Sequence, residues 1–299
     1  MDQPKPRLAS STDLQGVLAL TERKISPCNE AFYQRVREDD TWQSEYDLYV
    51  CDGTQGPTGF LVLKKRLTRG ITGDRESVIC DLFARHLPEQ RSLLECAADA
   101  ARGYASQFLT IEITPEDSHQ REMLEGLGYR LESHRISVAT ADCRPPEGSP
   151  YSVRLAEAQD HFSIAVLNSM MLEHTLCAER DYDLSELTFR SMEAIFHQLG
   201  RQDAECAALV LTRGQELVGH LLLELMGQTG YIYDLAVARE HWGGTAVRHI
   251  MRAGSQLLFQ RGVPLLAGDV SACNLRALKF ARHALGFSVD SQRFGRRLH

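Results

Sequence analysis

The residues best suited to chemistry lie in Gly230–Ala246, which reads GYIYDLAVAREHWGGTA. Asp234 stands in the middle of an otherwise apolar strand pattern, where a carboxylate can take a proton from an ammonium group. Glu224, which ends the preceding strand pattern, is a second candidate base, and Tyr231 and Tyr233, just before Asp234, are groups that can orient a substrate. Beyond the strand, Trp242-Gly243-Gly244-Thr245-Ala246 opens a helix. A glycine turn lets backbone approach a ligand closely, and the first helical turn offers N–H groups with no intrahelical partner, a setting that suits phosphate. Asn274 opens the last helix, where an N-cap explains it at least as well as a ligand contact. Cys273 beside it has no base within sequence reach, so a thioester mechanism has little to stand on.

The elements that must hold these residues are legible from hydrophobic periodicity. The chain has 299 residues, 43% hydrophobic and 24% charged, a globular profile with room for two domains. A net charge of -7 without a Lys/Arg-rich run argues against a nucleic-acid surface. No apolar run approaches the roughly 18–20 residues of a membrane span, and the start lacks a secretory pattern. The eight cysteines form no CxxC pair and do not cluster with His at zinc spacing, which predicts a reduced, cytoplasmic protein without a metal.

The sequence also repeats itself. Arg7-Leu8-Ala9 with Asp13 is echoed by Arg154-Leu155-Ala156 with Asp160, each predicting a strand and then a helix opened by an Asp or Ser/Thr cap. Gly59-Phe60-Leu61 matches Gly219-His220-Leu221, Cys80-Asp81-Leu82 matches Tyr233-Asp234-Leu235, and Leu127-Gly128-Tyr129 matches Leu285-Gly286-Phe287. The offsets run from 147 to 160, as loop-length changes between two diverged copies would give. Residues 139–150, with three prolines, read as the linker between copies at 1–138 and 151–299. Within each copy, strands interspersed with helices predict a mixed α/β sheet covered on both faces.

The order of elements, the strand before the Gly-Gly turn, and Asn274…Ala277…Gly286-Phe287 resemble the GNAT superfamily of acyl-CoA N-acyltransferases. The second copy carries the better match, and the first resembles a degenerate GNAT domain, so the chain resembles a tandem GNAT protein. The strand YIYDLAV with Glu240-His241 is also similar to the same stretch of aminoglycoside 3-N-acetyltransferases, too short a match to name a substrate. The resemblance implies transfer of an acyl group from acetyl-CoA, or another acyl-CoA, to the amine of a small molecule or peptide, and it leaves a homodimer open. It puts the pantetheine arm on Leu235, Ala236 and Val237, and the pyrophosphate on Trp242, Gly243, Gly244, Thr245 and Ala246, with Asn274 nearby. Catalysis falls to Asp234, with Glu224 and Tyr233 beside it.

Several residues depart from the family pattern. The R/Q-x-x-G-x-G/A motif fits only as His241…Ala246, without its basic residue, or as Trp242…Val247, without its small ones. The tyrosine that protonates the thiolate falls at Phe280 or Ala281. In the first copy, Arg85-His86-Leu87-Pro88-Glu89-Gln90 replaces the glycine turn and predicts no CoA binding. Asp81 repeats the Asp234 place there, so a structural role for Asp234 weighs against the catalytic one. Residues 174–183, rich in acids, read either as a solvated loop or as an attractor for a cationic amine. A catalytically lapsed tandem fold serving as a binding or regulatory module is the alternative function.

Overall fold

A computed structural model describes residues 5–21, 33, 42–54, 56–69, 72–141, 149–172, 180, 182–201, 205–243 and 245–299. The chain divides into two compact units, Met1–Leu131 with Arg293–His299, and Glu132–Gln292. Residues 132–138, which the sequence assigns to the first copy, thus count with the second unit. The chain's last residues return to the first.

In the first unit the order is β1 (Arg7–Leu8), α1 (Leu14–Thr21), a short α2 (Trp42–Glu45), β2 (Tyr46–Gly53), β3 (Gly56–Thr68), β4 (Arg75–Ala84), α3 (Leu87–Gly103), β5 (Phe108–Ile113) and α4 (Ser118–Gly126). Its strands lie in that order across the sheet, antiparallel as far as β4 and parallel between β4 and β5. Alternation along β2 and β3 sends Tyr49, Cys51, Leu61 and Leu63 to a core with Leu93, Leu94 and Ala97 of α3. Leu48, Val50, Phe60 and Val62 pack on the other face with Val17, Tyr33 and Trp42. Both faces are therefore covered, as the patterning predicts.

The second unit holds β6 (Arg130–Ala139) from Glu132 onward, β7 (Tyr151–Leu155), α5 (His161–Met171), α6 (Leu184–Gly200), β8 (Cys206–Arg213), β9 (Glu216–Met226), β10 (Thr229–Val237), α7 (Ala246–Gln260), β11 (Leu265–Ser271) and α8 (Leu275–Leu285). β12 (Ser288–Arg297) gives its first five residues to this unit and the rest to the other. The sheet order is β6-β11-β10-β9-β8-β7. Leu209, Leu211, Leu221 and Leu223 face Ile250, Met251 and Leu258 of α7. Val210 and Leu222 face Ile164 and Ala165 of α5 and Ile195 and Leu199 of α6. Gly286 ends α8 at φ 77°, the left-handed conformation expected of a C-terminal glycine.

The internal repeat holds at the level of strand register. Asp81 stands opposite Val62 and Asp234 opposite Leu222, each just after a break in the antiparallel ladder. Parallel pairing covers Glu76–Ile79 in one unit and Thr229–Ile232 in the other. The Arg-Leu-Ala…Asp echo has a structural meaning. Arg7 and Arg154 each grip their Asp through two hydrogen bonds, at 2.8 and 2.9 Å for Asp13 and at 2.6 and 2.9 Å for Asp160. Asp160 stands at the N-cap position of α5, as the sequence predicts, but neither Asp makes a side-chain cap bond to its helix. Each ends a 3-10 turn and accepts the backbone N–H at the start of that turn, from Ser10 or Glu157, at 2.7 Å.

Candidate functional site

In the second unit β10 and β11 pair only from Thr229–Ile232 to Leu265–Gly268, although β10 runs on to Val237 and β11 to Ser271. The two strands part there and open a fork. Gly268 closes its base, since a Cβ on it would lie 3.0 Å from Ile232 Cβ. On its other edge β10 stays paired with β9 through Val237, and Ala238 N–H donates to the Val218 carbonyl at 2.8 Å. Strand alternation then turns the N–H and C=O groups of Leu235 and Val237 away from β9, toward the fork.

The ladder break leaves Tyr233 as an extra residue between Ile232 and Asp234. A bulge lets two successive side chains share one face. Ile232 and Leu235 pack on the α7 side, whereas Tyr233 packs with Ile164, Ile195 and Leu222 on the α5/α6 side. Asp234, opposite Leu222, takes that same side. Burial, with Glu224 and Asp234 nearby, raises the Tyr233 phenol above its ordinary value, so it stays a neutral O–H.

Asp234 has a partner that the sequence reading missed. His220 of β9 meets it through Nε2 at 2.5 Å from Oδ2, with His220 fully buried and the Asp234 side chain 16% exposed. His220 Nδ1 is buried without a hydrogen-bond partner among the described residues. The available signal was the alternation of β9, which puts His220 two residues from Leu222 on the Asp234 face. Glu224, the second candidate base, accepts from Arg201 Nη1 at 2.6 Å and so carries a neutralising partner. Tyr231 points its O–H at Asp269 Oδ2 (2.6 Å), which also pairs with Arg135.

At the open end of the fork, residues 239–241 form a 3-10 turn, and Gly243 has φ 78°, a backbone state that favours glycine. Gly244 lies outside the described residues. Trp242 Nε1 donates to the Val237 carbonyl at 2.6 Å, pinning the turn to the strand end. Thr245 precedes α7 and makes no side-chain cap bond, and Ala246 is fully buried as its first residue. Arg276 of α8, another residue absent from the sequence reading, places its guanidinium 5.8 Å from the Trp242 ring centre. Its Nη2 lies 3.2 Å from where a Gly243 Cβ would be. Asn274 caps α8, accepting Ala277 N–H at 3.1 Å. Of the two places expected to hold a thiolate acid, Phe280 lies under Arg248 at 5.9 Å and Ala281 is buried. His241 is held by the Tyr151 hydroxyl at 3.0 Å.

The first unit repeats the fork with its chemistry filled in. Tyr33 O–H donates to Asp81 Oδ2 at 2.7 Å, and Leu82 N–H, the counterpart of Leu235, donates to Asp81 Oδ1 at 2.8 Å. β4 ends at Ala84 and α3 begins at Leu87, leaving no phosphate-sized turn. Glu89 is buried in the first turn of α3, accepting from Thr58 at 3.0 Å, where its charge opposes an anion.

Of the acidic stretch 174–183, Glu173, Glu179 and Asp181 at and beside it lie outside the described residues. Asp183 caps α6, accepting N–H groups of Ser185 and Glu186 at 3.0 Å. Cys51, Cys80, Cys96, Cys206 and Cys273 are free thiols. Among the described residues there is no cluster of three or more His, Cys, Asp or Glu able to hold a metal, and no helix long and apolar enough to cross a membrane.

Residues 169–287 match the family model described as Acetyltransferase (GNAT) family. A GCN5-related N-acetyltransferase from Sphaerobacter thermophilus is similar over 100% of this chain and 97% of its own, at 15% identity and TM-score 0.60. A GCN5-related glucosamine N-acetyltransferase region of a fungal multi-domain GH3 beta-N-acetylglucosaminidase is similar over 97% of this chain and 37% of that one, at 14% identity and TM-score 0.56. A tandem GNAT protein from the clavulanic acid biosynthesis pathway gives 17% identity and TM-score 0.48 over 85% of this chain and 83% of its own. No curated protein shows a significant sequence match.

Proposed function

We propose that the second unit, whose residues 169–287 match the acetyltransferase (GNAT) family model, is an acyl-CoA-dependent N-acyltransferase acting on the amine of a small molecule or peptide. The observation that carries the proposal is the fork between β10 and β11, with the Leu235 backbone groups and the Val237 N–H turned into it. These groups suit the amides of a pantetheine arm. The N–H groups at the start of α7, the Gly243 turn and the nearby Arg276, Arg239 and Arg248 suit its phosphates. An acyl-CoA held there supplies an activated acyl group and leaves as a thiol.

Asp234 accepts a proton from the incoming ammonium, leaving a neutral amine free to attack the acyl carbon. Tyr233, kept neutral beside it, donates a hydrogen bond that helps orient the acceptor. Neither Phe280 nor Ala281 has a proton to give, so after attack solvent takes the second proton from the nitrogen and protonates the departing thiolate, whose basicity is modest, with an ordinary thiol pKa of about 8.5. That same phenylalanine favours a second reading, in which the fold binds acyl-CoA without turnover. Thermal unfolding with and without acetyl-CoA tests the site, since a ligand at a hundred times its Kd stabilises by about 2.7 kcal/mol. No shift and no calorimetric binding would sink both readings. Binding without thiol release across a screen of primary amines would leave only the second.

A further inference from the structure

Resting on that reading of the site, we infer that His220 is a positioning residue for the reaction: it donates its Nε2 proton to Asp234 Oδ2 and leaves Oδ1 as the proton acceptor for the acceptor amine. Three observations converge on this role. The imidazole is fully buried in β9, and its Nε2 stands 2.5 Å from Oδ2. Nδ1 finds no hydrogen-bond partner among the described residues. An imidazolium would strand a buried N–H at Nδ1, and an Nδ1–H tautomer would do the same. Orphaned buried donors are rarer than under-used acceptors, so the proton belongs on Nε2. Asp234 must then be the acceptor in that bond, which requires an ionised or at least unprotonated Oδ2.

The third observation is the contrast with the first unit. Strand register places Phe60 where His220 stands, opposite Ala84's neighbour Phe83 as His220 is opposite Ala236. Phe60 is 1% exposed and stacks on Phe83 at 6.0 Å between ring centres. The fold therefore accepts an apolar ring at this place, and there Asp81 takes its hydrogen bonds from Tyr33 and Leu82 instead. The copy whose Asp faces a closed site has a phenylalanine, and the copy with an open fork has the histidine. In the proposed step the proton leaves the ammonium nitrogen and bonds to Oδ1, while His220 holds Oδ2 and keeps its own proton. The carboxyl then returns its proton to water.

The test combines nitrogen NMR of histidine-labelled protein with kinetics of H220F and H220Q. At neutral pH, His220 is expected to show a protonated Nε2 and a bare Nδ1. A proton on Nδ1, alone or with Nε2, overturns the inference. H220F is expected to fold, because Phe60 fills the matching place, and to bind acetyl-CoA with unchanged affinity by calorimetry. With glucosamine, spermidine and lysine amide as probe amines, its kcat for thiol release falls by about 10- to 100-fold with KM for acetyl-CoA unchanged, the loss of one hydrogen bond to a charged group. H220Q, whose amide nitrogen reaches the Nε2 place, recovers most of that loss. Equal kcat in H220F and wild type, or equal losses in H220F and H220Q, sinks the inference alone. Wild-type protein that neither binds acetyl-CoA nor releases thiol sinks the transferase reading, and this inference with it.

Discussion

Phe294→Ala should destabilise the first unit, although Phe294 lies five residues before His299, far along the chain from that unit's other residues. Phe294 is fully buried in the cluster of Leu93, Leu94, Leu109, Leu124 and Tyr129. Close by, Arg293 pairs with the fully buried Glu76, and Leu298 N–H donates to the Gln107 carbonyl at 2.8 Å. Truncating a buried phenylalanine removes its transfer energy and leaves a cavity, a cost of about 3–5 kcal/mol. With an m-value of about 2 kcal/mol/M, the urea midpoint of that unit falls by roughly 2 M. The chain has two tryptophans, Trp42 in the first unit and Trp242 in the second, so W242F and W42F backgrounds let fluorescence follow each unit alone. The Trp42 transition is expected to move and the Trp242 transition to move less. A Trp42 midpoint that does not respond to F294A refutes the assignment of Arg293–His299 to the first core.

D234N should abolish thiol release while acetyl-CoA binding by calorimetry is retained, and D81N should leave turnover intact; equal effects of the two would remove Asp234 from the mechanism. R276A should weaken acetyl-CoA binding by roughly tenfold, as loss of one charge-assisted contact to phosphate would, and unchanged affinity by calorimetry would take Arg276 out of the phosphate site. Hydrogen bonding to Arg154 depresses the Asp160 carboxyl below its ordinary value, and Arg7 does the same for Asp13. A depressed carboxyl stabilises the fold above its unfolded pKa of about 3.9, and that contribution is lost as pH falls through the folded value. D160N should therefore lower the melting temperature at pH 7 and flatten its decline below pH ~4; a decline as steep as wild type would show that the Arg154 grip contributes nothing.

Most of the fold was legible because periodicity and punctuation report it directly. The helices Ser118–Gly126 and Leu275–Leu285 have the bounds that their polar starts and terminal glycines predict. The alternation in β8 and β9 announced two covered faces. The exchange of β6 and of the end of β12 was not legible, since a strand's neighbour is set by long-range pairing and leaves no local mark. His220 was missed for a related reason. It lies fourteen residues from Asp234, and the pair forms only because a hairpin folds β9 onto β10 in one register. Arg276 was hidden because its distance to the Gly243 turn depends on how α8 packs.

The repeated Asp is the point at which sequence and structure pull hardest against each other. An Asp retained in a copy without a glycine turn argues for a structural role, and in the first unit that role is visible: Asp81 ties up both Tyr33 and the Leu82 N–H. The same argument does not carry over to the second unit. Asp234 sits in the same register after the same bulge, yet its contact is to a histidine, and the Leu235 N–H faces a fork that β11 has left. What the two copies share is a backbone geometry that aims a carboxylate along one face. What they do not share is the group the carboxylate meets. The difference between the filled fork and the open one therefore lies around the Asp, at Phe60 against His220 and at the Tyr33 hydroxyl, together with the turn that follows the strand.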